Sequence, residues 1–489
     1  MSRAANPNKP KQSKAETEAA VAAKQQKAER DKIRRLIITL GDENKKVISQ
    51  VRGLAGALED DIDLHGELMC QTVLDCAGSL PLKSSMYAAW LAKMAEKSAK
   101  FAADAVSKVM EELRASIRSG KIRHAQTLLR FLVALGNTGV LRLESVLKLL
   151  QEVLALSEGL KAKNGGDVGI FLALAQLPFL SPAAYKQAKG SVDELIEAAQ
   201  PYLASRAAAW KPLLHILKGQ DLPDRLEALV SALKTMAQSD WLSQAVMHVP
   251  SFEPSLTGKP DMPDISLDVK ADEIKKNKVR LQVPLAVANL ITSKLDDSPQ
   301  MSEADRWVLE DYLLMTMEMF AQDVEECSKQ ILKIPVLHPH FEAVAVETIV
   351  CQMLRLPAPV MLPLFYSRLL EAIAEKQESV KKLVEKAYEA LFEKLSDLDE
   401  DCLDVLAEAF AYHLVHCAYQ ADWKHFTGEN LSVQGQRFIR RTLERLQRLS
   451  FHQNLIHRLP EAVHVYVPQE PAAASGLPVV KKPEFGRML

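Results

Sequence analysis

Two histidines and a cysteine lie close together in the segment Tyr412-His413-Leu414-Val415-His416-Cys417. On a helix, side chains three or four positions apart share a face, and imidazole and thiolate groups are common zinc ligands. The segment lacks the glutamate of a zincin pair, however, and no fourth ligand follows at a recognisable spacing. Histidine and cysteine on a half-buried helix most often pack or form hydrogen bonds. We therefore predict neither a metal ion nor a cofactor.

The remaining polar clusters give no catalytic constellation. Carboxylates group at Glu59-Asp60-Asp61 and between Asp397 and Asp404. The second group opens a predicted helix, where acidic side chains stabilise the positive end of the dipole. The glycine pairs at Gly53 and Gly136 lack the spacing of a phosphate-binding loop, and no G-x-S-x-G motif is present. The sequence therefore predicts that the protein is not an enzyme.

One basic feature is stronger, in the segment GQRFIRRTLERLQRLSFHQ. Its apolar residues Phe438, Leu443, Leu446 and Leu449 are predicted to form the inner stripe of a helix. The rest of the helix carries the arginine ridge, which consists of Arg437, Arg440, Arg441, Arg445 and Arg448, against one acid, Glu444. Such a surface could hold an acidic partner or RNA phosphates, and it could equally be an ordinary solvated helix face.

The composition predicts that helices position these residues. Of 489 residues, 48% are apolar and 25% charged, with only 19 glycines, which disfavours tight hairpin turns. The net charge of -2 excludes an overall field that would attract nucleic acid or membrane. The six cysteines are scattered and form no framework, as in reduced nuclear or cytosolic proteins.

Apolar residues recur at helical spacing in successive segments. One stripe is Phe101, Ala105, Val109, Leu113 and Ile117, ending at Ser119-Gly120, and another is Val380, Val384, Tyr388, Leu391 and Leu395. The uncharged run from Val168 to Tyr185 is interrupted by prolines, so we predict a buried helix, a turn and a second helix rather than a membrane span.

The predicted fold class is all-α, with HEAT-like or armadillo-type antiparallel helix pairs stacked into a superhelix in two domains. A plain globular helical domain is the alternative. Prolines in MHVPSFEPSLTGKPDMPD favour a linker. The predicted organisation is a basic, disordered-to-helical segment at 1–30, a first helical domain at 31–246, a linker at 247–270, a second helical domain at 271–466 and an extended tail at 467–489.

Several segments together resemble the large subunit of the nuclear mRNA cap-binding complex. LIITLGDENKKVISQVRGLAGALEDDI, RSGKIRHAQTLLRFLVALGNTGVL and LAQLPFLSPAAY resemble its first helical domain. KIPVLHPHFEAVAVETIVCQMLRLPAPVMLPLFYSRLLEAI, CLDVLAEAFAYHLVHCAYQADWKHF and FIRRTLERLQRLSFHQNLIHRLP resemble its second. The matches keep their order and cover most of residues 33–460; the LPAP turn and RLSFHQ are the most specific pieces.

The resemblance implies a nuclear, non-catalytic scaffold that could shuttle to the cytoplasm. It implies a small partner with an RNA-recognition fold that binds the methylated cap, further cap-complex subunits, recruited processing and export factors, indirect contact with capped RNA, and no membrane. The family's large subunit carries a third helical domain. We expect this chain to have two. Either the partner surface is then rebuilt, or another polypeptide supplies what is missing, as in divergent protist complexes with extra subunits.

The predicted partner-binding residues are Trp423, Arg441, Arg445, Arg448 and His452. Arginine and tryptophan supply the charged forks and large buried areas that interface anchors need. The alternative function is another helical-repeat adaptor, in translation initiation or RNA decay.

Overall fold

The computed structural model describes residues 14–42, 46–160, 166–206, 216–217, 223–246, 264–276, 288–294, 301–336, 338–427 and 431–470. This part of the chain contains 21 α-helices and no β-strand. The predicted all-α class is therefore confirmed. The expected disorder at the N-terminus and most of the expected tail, at 1–13 and 471–489, lie outside the described residues.

The chain divides into two compact units, residues 1–384 and 385–489. The helices of the first unit are α1 (Lys14–Ile38), α2 (Val47–Leu58), α3 (Ile62–Ser79), α4 (Ser84–Lys97), α5 (Ala99–Ser119), α6 (Ile122–Asn137), α7 (Leu143–Gly159), α8 (Asp167–Leu174), α9 (Pro182–Ser205), α10 (Arg225–Gln238), α11 (Ala271–Lys276), α12 (Glu303–Met319), α13 (Val324–Leu332), α14 (Phe341–Met353) and α15 (Pro363–Lys376). The division falls within α16 (Glu378–Phe392), and the second unit continues with α17 (Glu400–His416), α18 (Trp423–Phe426), α19 (Val433–Leu449), α20 (His452–Arg458) and α21 (Glu461–His464).

Helices of the first unit contact both their chain neighbours and the helices one further along. Thus α4 packs against α5 and α5 against α6, while α2 packs on α4, α3 on α5 and α4 on α6. Alternating contacts of this kind arise when antiparallel helix pairs stack on one another. The predicted stacking of helix pairs is confirmed by this pattern.

The predicted apolar stripe of α5 faces the core. Ser98 caps the helix, since its hydroxyl accepts a hydrogen bond from the amide of Phe101. Gly120 ends it in the left-handed region at a φ of 71°, where glycine has no side chain to clash. The stripe residues between these two signals are all buried: Phe101, Ala105, Val109, Leu113 and Ile117.

The apolar run from Val168 to Tyr185 forms a helix, a turn and a second helix, as predicted. It comprises most of α8, a 3-10 turn at Leu177–Phe179 and the start of α9, which Ser181 caps. No described helix combines the length and apolar character that a bilayer crossing requires.

Charged side chains are buried where α12 meets α6, α10 and α14. Arg130 on α6 pairs with Asp311 on α12, and these side chains are only 2% and 0% exposed. Arg225 on α10 pairs with Glu310, which also accepts from Arg306. We call this set the buried charge network: Arg123, Gln126, Arg130, Arg225, Arg306, Glu310, Asp311 and Glu347.

The network joins helices from both sides of the proline-rich stretch at 247–270. Residues 247–263 of that stretch lie outside the described part of the chain. Residues that follow them return to the earlier helices, because Arg114 donates to the carbonyls of Ser266 and Leu267, and Arg118 pairs with Glu273. The compact units divide at 384/385, and the domain boundaries that we predicted from the sequence remain a prediction.

Candidate partner-binding face

Helix α19 carries the arginine ridge. Ser432 caps the helix by accepting a hydrogen bond from the amide of Gly435 at 3.0 Å. Phe438, Leu443 and Leu446 are buried, as predicted. Leu449 is 58% exposed, so its assignment to the inner stripe is wrong. It is the last residue of α19, and beyond it α20 contributes Leu455 to the core instead.

Three arginines of the ridge form a ladder of ion pairs with α17. The ladder joins Arg437 to Glu400 at 3.1 Å, Arg441 to Asp404 at 3.5 Å and Arg445 to Glu408 at 3.6 Å. Both rows advance by four residues, close to one helical turn, and their numbers rise together. Helices α17 and α19 therefore run parallel, and their facing charges are matched rung by rung.

The ladder lowers the charge that these arginines offer to a partner. Arg441 also lies 3.4 Å from Glu444 on its own helix. The hydrogen bond and charge of Glu400 raise the pKa of Arg437. Exposed ion pairs like these are individually weak, so a partner's carboxylates could displace them.

Arg440 and Arg448 differ from the other three arginines. Both are exposed, and no acid of the described chain lies within ion-pair distance of either guanidinium. The unneutralised positive charge of the ridge is therefore concentrated on these two side chains, of which only Arg448 was among the predicted partner residues.

Trp423 lies in the core rather than on the surface. Its side chain is 8% exposed, and its indole N–H donates to the carbonyl of Tyr419 at 3.2 Å. The ring centre lies 6.4 Å from those of Phe410 and Phe426. The short helix α18 turns this indole inward, and the role of Trp423 in partner binding remains a prediction.

His452 is half-buried at the start of α20, and its Nδ1 lies 3.5 Å from Nε2 of Gln447. It therefore lies next to the last turn of α19, on the side of the helix that Gln447 occupies. Its role in partner binding remains a prediction, as do those of Arg441, Arg445 and Arg448.

Of the histidines and cysteine that could have held a metal, His413 and Cys417 lie close together in the core, whereas His416 is exposed. His413 is buried, with Nε2 3.5 Å from Sγ of Cys417 and its ring centre 5.2 Å from that of Tyr388. His416 is exposed, and its Nδ1 contacts the carbonyl of Tyr412 one turn back at 3.0 Å. That this segment holds no metal ion remains a prediction.

A basic cluster at the start of α6 was missed in the sequence. Lys121, Arg123 and His124 follow the turn at Gly120 and border a cavity of about 570 Å³. Four basic residues occur within the seven-residue stretch RSGKIRH. This density of basic residues could have indicated the cluster. The cavity itself could not be predicted from it, because the helices that complete the cavity come from much later in the chain.

Three matches connect this chain with known proteins. A family model described as MIF4G like matches residues 303–461. Nuclear cap-binding protein subunit 1 of Caenorhabditis briggsae is 25% identical over 450 residues, which is 88% of this chain and 56% of the relative. The protein of the same name from Caenorhabditis elegans is 24% identical over 426 residues, which is 83% of this chain and 53% of the relative.

The predicted resemblance to the cap-binding large subunit is confirmed. The similarity to these relatives extends over most of the chain. The match to the MIF4G-like family model includes α19 with its arginine ridge. The chain spans about half the length of the curated relatives it matches. Both relatives are named as cap-binding protein subunits.

Proposed function

We propose that this protein is a non-catalytic helical scaffold subunit of a nuclear cap-binding complex. The observation that carries the proposal is the similarity to two proteins named nuclear cap-binding protein subunit 1, which extends over 88% and 83% of the chain. A stack of helices suits this role, because it offers a long surface on which several proteins can bind at once.

In this proposal the chain supports a small subunit with an RNA-recognition fold, and that subunit binds the methylated cap. The chain itself would contact capped RNA only indirectly, join further cap-complex subunits, and recruit RNA-processing and export factors. It would act in the nucleus and shuttle to the cytoplasm.

Retention on a cap-analogue resin tests the proposal. The full chain should pass through the resin alone and should be retained once a small RNA-recognition-fold subunit is co-expressed with it. Retention of the chain alone at comparable affinity would overturn the scaffold assignment. Co-purification of a helicase or a ribosomal protein in place of the small subunit would favour the adaptor role in translation initiation or RNA decay.

The arginine ridge gives a sharper test of the partner face. Arg440→Glu combined with Arg448→Glu should weaken small-subunit binding at least about tenfold, because these side chains carry the unmatched charge. The control is Lys386→Glu combined with Lys424→Glu, two exposed positions in the same unit that give the same change in net charge. Equal binding by both double variants would show that the ridge is only solvated surface.

A further inference from the structure

Residues 264–270 lie against α5 and α7 as a segment that belongs to no helix or strand; we call it the strap. Every second side chain of the strap is buried. Ile265, Leu267 and Val269 are 5%, 2% and 8% exposed, whereas Asp268 between the last two is exposed. An extended chain shows this two-residue period when one of its sides lies against another surface. The strap is therefore docked on the helices by one apolar side.

The strap follows α7 along its length. At its start, Asp264 accepts a hydrogen bond at 3.0 Å from the hydroxyl of Ser145, in the first turn of α7. At the far end of α7, Gly159 makes room for the chain, because a Cβ added there would lie only 2.4 Å from the Cβ of Ala271. The chain between these two contacts covers about 23 Å when extended, and α7 rises about 21 Å over the same interval. The two segments therefore run side by side in the same direction.

Side chains of α5 and α7 hold the backbone of the strap. Oε2 of Glu152 on α7 accepts from the amide of Leu267 at 2.6 Å. Arg114 on α5 donates to two successive carbonyls of the strap at 2.8 and 3.1 Å, and Arg118 donates to the next carbonyl at 3.0 Å. Every peptide carries these main-chain groups, so the contacts fix an extended chain while alternate side chains supply the specificity. Helices α5 and α7 thus form a groove that recognises an extended segment.

The groove is larger than the strap that lies in it. A cavity of about 200 Å³ remains beside the start of the strap, lined by Ile265 and by the first turns of α7. Next to it, Asp264 and Arg142 form an ion pair in which both side chains are largely exposed, at 77% and 62%. Exposed pairs of this kind are weak. A competing segment with a longer side chain in place of Ile265 would reach into the cavity and gain contacts that the strap does not make.

We propose that this groove is a docking site for an extended segment of a partner protein, and that the strap occupies it as an internal competitor. The partner segment carries an acid for Arg142, followed by three apolar residues at alternating positions, as the strap does. Asp268, between the last two apolar residues, has a φ of 49°, which Asp, Asn and Gly tolerate best. One of these three residues is therefore expected at that position of the ligand.

This inference goes beyond the proposed cap-complex role and does not depend on it. It concerns α5, α7 and the strap, and its ligand is a linear segment recognised by acidic and alternating apolar residues. The arginine ridge takes no part in it.

Peptide binding in trans tests whether the strap can be replaced. The released variant combines Ile265→Asp, Leu267→Asp and Val269→Asp, so that the strap leaves the groove. A fluorescent peptide that copies residues 264–276 should bind the released variant with a Kd at least about tenfold lower than that of the unaltered chain. In the unaltered chain the tethered strap competes at an effective concentration of about 1 mM.

A matched control separates release of the strap from the added charge. Leu64→Asp, Val360→Asp and Leu362→Asp together make the same change in net charge at exposed positions of the same unit. This control should bind the peptide as weakly as the unaltered chain. Equal binding by the released and control variants would overturn the proposal. Circular dichroism and thermal unfolding check that both variants are folded.

The groove residues locate the binding. Adding Arg114→Ala and Glu152→Ala to the released variant should raise the Kd of the peptide at least about tenfold, because these side chains hold the backbone of the strap. An unchanged Kd would show that the peptide binds elsewhere, and the groove would then not be the docking site.

Selection from a displayed random-peptide library against the released variant tests the chemistry of the partner. Enriched peptides should carry an acid followed by three apolar residues at alternating positions. Enrichment of no peptide, or of peptides without alternating apolar residues, would show that the groove takes only its own strap. If the unaltered chain forms concentration-dependent dimers that the released variant does not form, the occupant is the strap of a second copy and the partner assignment is wrong.

Hydrogen exchange of the unaltered chain provides a measurement that needs no variant. The amide of Leu267 should exchange at least about a hundredfold faster than the core amides of Val109 on α5 and Leu150 on α7, because a replaceable strap opens while the helices stay folded. Equal exchange rates would mean that the strap leaves only when the unit unfolds, which would overturn the proposal. None of these measurements uses the cap resin, so a failure here is distinct from a failure of the proposed function.

Discussion

Glu347 is a buried carboxylate that orders a neighbouring stretch of backbone. Its Oε1 accepts from the amides of Leu290, Ile291 and Thr292 at 2.7, 2.6 and 2.9 Å, and its Oε2 accepts from Arg306 at 2.8 Å. Glu347→Ala leaves these donors without their acceptor. We expect a loss of about 3–5 kcal/mol in the free energy of unfolding, measured by chemical denaturation.

The matched control for this prediction lies on the same helix. Among the described residues, Glu342 accepts a hydrogen bond from the exposed side-chain amide of Gln377 at 2.8 Å. Glu342→Ala should change the free energy of unfolding by no more than about 0.5 kcal/mol. Equal effects of the two substitutions would show that Glu347 does not hold the backbone at 290–292.

Asp311 makes stability depend on pH in a predictable direction. Burial pushes the pKa of Asp311 upward, but the charges of Arg130, Arg123 and Arg225 outweigh burial and hold it below its ordinary value of 3.8. A carboxyl group whose pKa is lowered in the folded state stabilises the fold at pH values above its ordinary pKa. This stabilisation is lost as the pH falls through the pKa of the folded state. The advantage of the unaltered chain over Asp311→Asn should therefore be constant from pH 7 to about 5 and shrink only in more acidic solution.

Denaturation curves of both proteins across this pH range provide the measurement. At pH 7 the difference should be about 3 kcal/mol, because asparagine leaves the buried Arg130 without its counter-charge. A difference that disappears already between pH 7 and 5 would mean that the arginines do not lower the pKa of Asp311.

At the scale of the element, α19 offers a comparison between two leucines three residues apart. Leu446 is fully buried, whereas Leu449 is mostly exposed. Leu446→Ala should cost about 2–5 kcal/mol, since it removes buried methyl groups and leaves a cavity. Leu449→Ala should change stability by less than about 0.5 kcal/mol. Thermal and chemical unfolding of the two variants measure the difference; a cost of several kcal/mol at Leu449 would contradict its placement outside the core.

The same helix shows which burial assignments the apolar spacing can predict and which it cannot. Spacing correctly assigned Phe438, Leu443 and Leu446 to the buried face, because the direction of a side chain around a helix depends only on local sequence. It failed at Leu449 because burial also depends on where the helix ends. The ion pairs to Glu400, Asp404 and Glu408 could not be predicted from the sequence either, because predicting them requires knowing which helix lies beside α19.

At the scale of the molecule, the least predictable features are contacts between distant parts of the chain. Arg130 and Asp311 are 181 residues apart in sequence. Nothing local marks either residue as buried, because arginine and aspartate are mostly exposed in proteins. The cavity beside α6 depends in the same way on α12 and Arg355. All-helical character and helix pairing need only composition and periodicity, which explains why they were predictable while these sites were not.

The cysteines provide a measurement that reports on the packing of the molecule. All six are free and buried. Burial raises the pKa of Cys70, Cys327 and Cys351 to about 12. Since the thiolate is the reactive form, these thiols should react very slowly with a thiol reagent at pH 8. Chemical denaturation should make all six reactive.

An exposed thiol calibrates this experiment. Ala115 lies on the exposed side of α5, so the cysteine of Ala115→Cys should react at the rate of a small-molecule thiol in the native protein. Raising the pH from 7 to 9 should strongly accelerate the reaction of the introduced cysteine with the reagent. The reaction of Cys70, Cys327 and Cys351 should accelerate little, because a pKa near 12 leaves few thiolates in this pH range. Native cysteines that reacted as fast as the introduced one would show that the helix stack opens readily, and the protection that we attribute to packing would then be wrong.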